Sequence, residues 1–373
     1  MNTKFAFSLL FVAASLSVSA QNTMSPELLW ELGRVSLEDV SSDGEEVLYG
    51  VTRFDVKENS ASRALYLADV EDGETETLID FDKSFSAAQF LKGDDLIGFV
   101  MDGQYHTMNV ETGEVIRKTN IEGGISMVKA YPFEDHIVLL FAKEFKTMES
   151  TADIYPDLPQ AEAMVTEDLM YRHWDKWSDD KSRHVCYTRI PWVNGKTEVM
   201  DFTDIMKGES FDSPMMPFGG PDDFSLHPNG RQIAYICKKL SGRAYAESTN
   251  SEVYLFDMTT GTTRNVTKGM MGYDKHPAWS PDGERLAWLS MERDGYESDV
   301  NSLWIMDMES GEKAQLLDEE YISTFTWADN DRIIYGLPKD GTQQIHELEF
   351  KWKSGSYKRV STGDLLTDQH NYY

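Results

Sequence analysis

An all-β fold, a β-propeller of about seven four-stranded blades with a short helical insertion, is what the 373-residue sequence predicts. Three observations carry that expectation: a turn-plus-strand unit that returns along the chain, a second hairpin signal inside each unit, and strand stretches that alternate with period two. The clearest copy of the unit is Ser280-Pro281-Asp282-Gly283-Glu284-Arg285-Leu286-Ala287-Trp288. Pro281 presets φ at the first corner of a type I turn, Asp282 suits the second, and Gly283 takes the left-handed conformation that a bulged hairpin needs. Leu286 and Trp288 then share one strand face. Looser copies place their turn residue at Gly44, Gly93, Asp135, Asp180, Gly230 and Asn330, roughly 42 to 53 residues apart.

The second signal is an acidic residue or Asn, an apolar residue, two variable residues and Gly. It reads Asp69-Val70-Glu71-Asp72-Gly73, Asn109-Val110-Glu111-Thr112-Gly113, Asp257-Met258-Thr259-Thr260-Gly261 and Asp307-Met308-Glu309-Ser310-Gly311, with longer versions closing at Gly208 and Gly355. Strands rich in β-branched and aromatic residues flank these turns, as in Val253-Tyr254-Leu255-Phe256 and Leu303-Trp304-Ile305-Met306. One unit is thus two hairpins, and four-stranded units of roughly 40 to 50 residues are propeller blades. A helical solenoid requires 3.6-residue periodicity through each unit, and a β-sandwich lacks the double-turn grammar.

Residues 1–20 read as a signal peptide: Lys4, the apolar run from Phe5 to Val18, and small residues Val18-Ser19-Ala20 for cleavage before Gln21. That run is shorter than the roughly 20 residues a membrane-spanning helix needs, and no later stretch is long enough. The expectation is an exported chain, periplasmic or secreted, without a membrane span. Residues 21–34 form a helical lead-in around Pro26-Glu27-Leu28-Leu29-Trp30-Glu31-Leu32, residues 35–361 the seven-bladed propeller with its helical insertion at about 151–175, and residues 362–373 a tail. A formal net charge of −29 repels phosphates and anionic membrane surfaces, so nucleic acid is not an expected partner. Cys186 and Cys237 occupy similar places in neighbouring units. They are expected to be free and buried, because a bridge needs Cα atoms within about 7 Å.

In the insertion, Asp153-Ile154-Tyr155-Pro156-Asp157-Leu158-Pro159-Gln160 breaks the strand grammar, and the segment from Ala161 to Met170 reads as a short helix capped by Asp157 with Gln160. Three separated segments then carry a likeness. Leu169-Met170-Tyr171-Arg172-His173-Trp174-Asp175-Lys176-Trp177, Ala246-Glu247-Ser248-Thr249-Asn250-Ser251-Glu252-Val253-Tyr254 and Met291-Glu292-Arg293-Asp294-Gly295-Tyr296-Glu297-Ser298-Asp299 resemble the propeller half of exported prolyl oligopeptidase-family serine peptidases, in the dipeptidyl peptidase five and acylaminoacyl-peptidase-like branch. The likeness covers Gln21 to Tyr373. It implies a propeller that caps an active site, limits entry to short or unfolded peptides, and supplies acidic groups that hold a free amino terminus. It also implies a following α/β-hydrolase domain with Ser, Asp and His, which this sequence does not contain. The expectation is a non-catalytic, substrate-gating propeller portion whose peptide partners are met together with that missing C-terminal domain. The alternative is a stand-alone TolB-like exported propeller that binds a protein or peptide.

Glu167 and Asp168, beside Arg172 and Trp174, are the candidates for holding the amino terminus, since a carboxylate pair gives an ammonium charge-assisted hydrogen bonds. The same residues also read as a solvated helix face with Arg172 and Trp174 packed structurally. No catalytic residue is expected. Gly124-Ile125-Ser126-Met127-Val128 lacks the second glycine of a nucleophile elbow, so Ser126 reads as a strand-edge serine. The eight histidines fall outside metal-ligand spacing, and neither metal nor cofactor is expected. Asp222-Asp223 and Asp329-Asn330-Asp331 read as turn chemistry, and Gly219-Gly220-Pro221 is no phosphate loop because no Gly-Lys-Ser/Thr follows. Trp279 and Trp327, each just before a blade turn, suit inter-blade packing.

Overall fold

The structure, a computed structural model, describes residues 24–367 apart from 82, 83, 92, 162, 164–176, 178, 193–197, 318–320, 354, 355 and 360–363. The chain divides after Ala88 into two compact units. In the first, helix α1 (Pro26–Glu31) starts where the Ser25 Oγ accepts the Leu28 N–H at 3.2 Å, with proline in the first turn. It leads into an antiparallel sheet, β1 (Arg34–Val40), β2 (Glu46–Asp55), β3 (Ser60–Asp69) and β4 (Thr75–Ile79), hydrogen-bonded in chain order. Trp30 meets the Phe54 ring edge-on at 5.3 Å, whereas Val35 and Leu37 of β1 are exposed.

Strand β5 (Ser86–Phe90) spans the division and forms a sheet with β6 (Leu96–Met101), β7 (Gln104–Asn109) and β8 (Val115–Arg117). The third sheet is β9 (Ser126–Pro132), β10 (His136–Lys146), β11 (Lys181–Pro191) and β12 (Thr203–Asp204). The fourth is β13 (Phe224–Leu226), β14 (Gln232–Cys237), β15 (Glu252–Asp257) and β16 (Thr262–Asn265). The fifth is β17 (Asp274–Trp279), β18 (Arg285–Ser290), β19 (Ser302–Asp307) and β20 (Lys313–Leu317). The last holds β21 (Thr324–Trp327), β22 (Arg332–Lys339) and β23 (Thr342–Lys353), with both β24 (Ser356–Arg359) and β25 (Asp364–Thr367) paired to β23.

The fold is a β-propeller of six blades, not about seven. The excess arose at Asp180. Asp135 lies in the turn between β9 and β10, but Asp180 lies just before β11, which pairs with β10 residue for residue down to Lys146 opposite Lys181. The two turn-like residues belong to one blade, and their spacing mimics a repeat only because the connection 147–180 is inserted between its two middle strands. One further boundary shifts. Part of the segment read as a tail, 362–373, supplies β25. The described helix of the insertion, α2 (Thr151–Ile154), starts at Ser150, whose N–H donates to the Asp153 carboxylate at 2.7 Å, and it lies upstream of the segment read as a helix over 161–170. The signal-peptide segment and most of the helix read over 161–170 lie outside the described residues.

Alternation explains why the middle strands read as unbroken apolar runs. Ile233, Tyr235 and Cys237 of β14 face the third sheet, in one cluster with Val138, Leu140 and Val185. Ala234 and Ile236 face the other way, with Leu286 and Trp288 of the fifth sheet. Ala287 and Leu289 in turn meet Ile333 and Tyr335 of the sixth. Strands β14 and β18 are each buried on both faces, so no polar face is left to read. Cys186 and Cys237 are free and buried, and burial pushes both thiols up.

The recurring turns also join neighbouring blades. Gly283 has φ of 75°, and a Cβ there would lie 2.3 Å from the His227 ring, whose Nε2 donates to the Gly283 carbonyl at 3.0 Å. Asp282 N–H donates to Asn330 Oδ1 at 3.0 Å, and the Trp327 indole donates to the Ala278 carbonyl at 3.1 Å. Among the described residues no helix is long and apolar enough to cross a membrane.

Candidate functional site

In a four-stranded antiparallel sheet the first and third turns lie at one end and the second connection at the other. Both short recurring turns therefore occupy one end of every blade. The opposite end receives the irregular segments: the connection 147–180, the connection 238–251 with helix α3 (Gly242–Glu247), the connection 291–301, and the sheet-to-sheet segments 205–223 and 266–273. Specialised loops on a regular scaffold are where binding residues concentrate.

The segment 205–223 is pinned at both ends. Arg183 N–H donates to Asp212 Oδ1 at 2.8 Å, and Ser213 N–H returns to the Arg183 carbonyl at 2.8 Å. Further on, Met215 N–H donates to Asp223 Oδ2 at 3.0 Å, Gly219 N–H to the Met215 carbonyl at 2.6 Å, and Asp223 N–H to the Gly220 carbonyl at 3.0 Å. A Cβ at Gly219 would fall 2.3 Å from Met215 N and O, so this closure requires glycine. Burial pushes the Asp223 carboxyl up to about 7, against the opposing pull of the Met215 N–H.

Two neighbouring cavities flank the Met216–Pro217 peptide. One, of about 240 Å³, is lined by Glu144, Trp177, Asp179, Arg183, Asp212 and Tyr245. Tyr245 Oη donates to the Met216 carbonyl at 3.2 Å and so props the divider. The other, of about 320 Å³, has Met215, Phe218, Tyr273, Met291 and Tyr321 as apolar wall, and Asp223, Lys238, Lys275 and His276 among its polar groups. An apolar pocket with a few convergent polar groups and a shifted carboxyl is the pattern of a ligand site.

Two of the three segments singled out in the sequence meet at its rim. Asp294 accepts from Ser248 Oγ at 2.7 Å, Thr249 N–H at 2.9 Å and Asn250 N–H at 3.2 Å, while Gly295 N–H donates to Thr249 Oγ1 at 2.9 Å. Burial raises the Asp294 carboxyl, but these donors outweigh it and hold the group below the usual carboxylate range. Arg293 closes the same loop onto Asp299 at 2.9 Å. Asp294→Ala is expected to cost about 2 kcal/mol in urea unfolding, because a charge-assisted cluster is lost from a partly solvated site. Asp294→Asn should recover part of that loss. A variant as stable as the parent would show that the two loops hold without the clamp.

Glu167, Asp168, Arg172 and Trp174 lie outside the described residues. Trp177, next along the same segment, is described and lines the smaller cavity. Ser126 opens β9, and its Oγ donates to the Ala142 carbonyl at 3.3 Å. Among the described residues no three His, Cys, Asp or Glu side chains are grouped to hold a metal ion. Sequence reading passed over Asp223, Lys275 and His276. Asp222-Asp223 read as a plain turn, and only the return of the chain onto Met215 makes Asp223 a buried acceptor.

Residues 215–372 match the family model described as the TolB beta propeller domain. The chain is 35% identical to a dipeptidyl-peptidase 5 of Porphyromonas gingivalis over 98% of its own length and 53% of that protein. It is 33% identical to the dipeptidyl-peptidase 5 of Porphyromonas endodontalis over 77% of its length and 41% of that protein. The chain thus spans about half the length of the curated relatives it matches. Among solved structures, an acylaminoacyl peptidase of Pyrococcus horikoshii superposes with a TM-score of 0.56 at 15% identity, over 90% of this chain and 47% of that one, a likeness of fold alone.

Proposed function

We propose, for a chain that belongs to the prolyl oligopeptidase family in its β-propeller part, that the irregular end admits and holds short peptides for a serine exopeptidase of dipeptidyl or acylaminoacyl type. The observation that supports this most directly is the Asp294 clamp. It ties two of the segments that carry the family likeness together beside an apolar cavity, as a peptide-receiving mouth requires. In this reading the propeller positions the substrate and excludes folded chains, and the bond-breaking groups are not among its residues. Glu167 and Asp168 hold the peptide's free ammonium, with Arg172 and Trp174 beside them. Trp177, of the same segment, lines the smaller cavity. The leader read over residues 1–20 fits export to the periplasm or beyond.

The test is peptide binding by the full chain. A free-amine tripeptide is expected to bind about tenfold more tightly than its N-acetylated twin, the worth of one charge-assisted contact, and Glu167→Ala or Asp168→Ala to erase the difference. Equal affinities for the two forms would remove these residues from the site. They would favour the second reading, a TolB-like exported binding module, which the match over residues 215–372 supports.

A further inference from the structure

Strand β17 breaks the alternation of side chains at one place. His276 has φ of 54°, in the left-handed region that a non-glycine residue rarely enters, and the pairing of β17 with β18 slips between Lys275 and Ala278. Asp274 faces away and is buried against Ser290. Yet the consecutive residues Lys275 and His276 both line the larger cavity. A regular strand would send one of the two to the opposite face. The bulge turns both basic side chains into one cavity, and backbone strain of this kind collects at ligand sites.

The other charges around this cavity are engaged. Lys238 donates to the Ser248 carbonyl and lies 4.3 Å from the Tyr245 ring centre. Asp223 accepts from Met215 N–H, and Asp222 lies 3.7 Å from Lys129, which donates to the Phe224 carbonyl at 3.2 Å. Glu297 sits on the exposed rim. The side chains of Lys275 and His276 make no hydrogen bond among the described residues; Lys275 has the Tyr273 ring at 5.3 Å. Burial draws both groups below their ordinary values, although Asp223 pulls Lys275 and Asp222 pulls His276 the other way, and an arriving anion would offset the remaining cost.

We propose that Lys275 and His276 form the seat for one carboxylate of a short peptide, with Phe218, Met291 and Tyr321 taking the adjoining apolar side chain. An ammonium supplies the charge and an imidazole N–H a directed donor. The inference rests on the peptide reading above for the source of the carboxylate, which is either a peptide's C-terminus or an acidic side chain. The probes are three N-acetylated dipeptides, acetyl-Ala-Phe acid, acetyl-Ala-Phe amide and acetyl-Glu-Phe amide, titrated calorimetrically into the full chain. At least one carboxylate-bearing peptide is expected to bind about tenfold more tightly than acetyl-Ala-Phe amide, and which one does so identifies the source. Lys275→Gln should abolish the preference and Lys275→Arg keep most of it. His276→Gly, which keeps the backbone conformation accessible, should reduce it about threefold or more. Equal binding of all three peptides, binding of none, or a preference that survives Lys275→Gln overturns the seat. The peptide-gate reading fails by a different result, equal binding of free-amine and acetylated forms of one sequence.

Discussion

Gly272→Ala lowers stability by about 3 kcal/mol or more, the upper end of overpacking costs, because the added methyl group has no space that side-chain movement can provide. An ideal Cβ at this position lies 1.5 Å from the Met291 carbonyl oxygen, 2.2 Å from its carbon and 3.1 Å from Glu292 N. These are backbone atoms, and the backbone there is fixed: Met291 N–H donates to the Tyr273 carbonyl at 3.2 Å, and Ser251 N–H donates to the Gly272 carbonyl at 3.2 Å. The segments 238–251, 266–273 and 291–301 therefore meet at Gly272, and the first and last of these are the ones the Asp294 clamp joins. Relief of the clash must lift the 291–301 segment, so the same substitution should weaken peptide binding as well as stability. Gly261→Ala provides the comparison. It has φ of 69° with nothing within 4 Å of an added Cβ, so it meets conformational strain alone, about 1 kcal/mol. Urea midpoints for the two variants separate contact from strain, and a Gly272→Ala loss no larger than that of Gly261→Ala would refute the account.

The repeat was legible because the turn residues do two jobs. Gly283 and Asn330 close hairpins and also touch the preceding blade, so chemistry and spacing recur together. Asp180 was misread because an acidic pair ahead of a strand has the same local chemistry as a blade turn, and nothing local reports that β11 pairs back onto β10 across an insertion. The segments around Ser248 and Asp294 were visible as likenesses, but their contact was not, since a carboxylate some 45 residues from its donors leaves no periodic trace. Lys275 and His276 were invisible for a different reason. Which face a strand residue takes follows from alternation, and the bulge that overrides alternation at His276 has no glycine or turn motif to announce it.

Asp274→Asn is expected to remove a large pH dependence from the stability of the protein. Asp274 is fully buried; burial pushes its carboxyl up to about 7 from the ordinary 3.8, against the Ser290 and Thr267 hydroxyls, which pull it down. Ser290 Oγ donates to Asp274 Oδ1 at 2.5 Å. Below about pH 4 the carboxyl is protonated in both folded and unfolded chains and contributes no slope. Between pH 4 and 7 the unfolded chain has released the proton while the folded one retains it. The folded state then binds more protons, and stability falls as pH rises, by up to about 1.4 kcal/mol per pH unit and on the order of 4 kcal/mol in all. Above pH 7 both states are ionised and the loss stops growing. Asp223, raised to about 7 in the same way, adds a second slope of the same sign. Asp299, held down to about 2 by Arg293, has the opposite sign and acts only below pH 4. An amide at 274 stays neutral throughout and still accepts from Ser290. The variant should therefore gain on the parent steadily from pH 5 to 7 and exceed it by about 2–4 kcal/mol at pH 8. Urea midpoints for the two proteins across that range check the claim; parallel curves would mean that Asp274 ionises alike in the folded and unfolded chains.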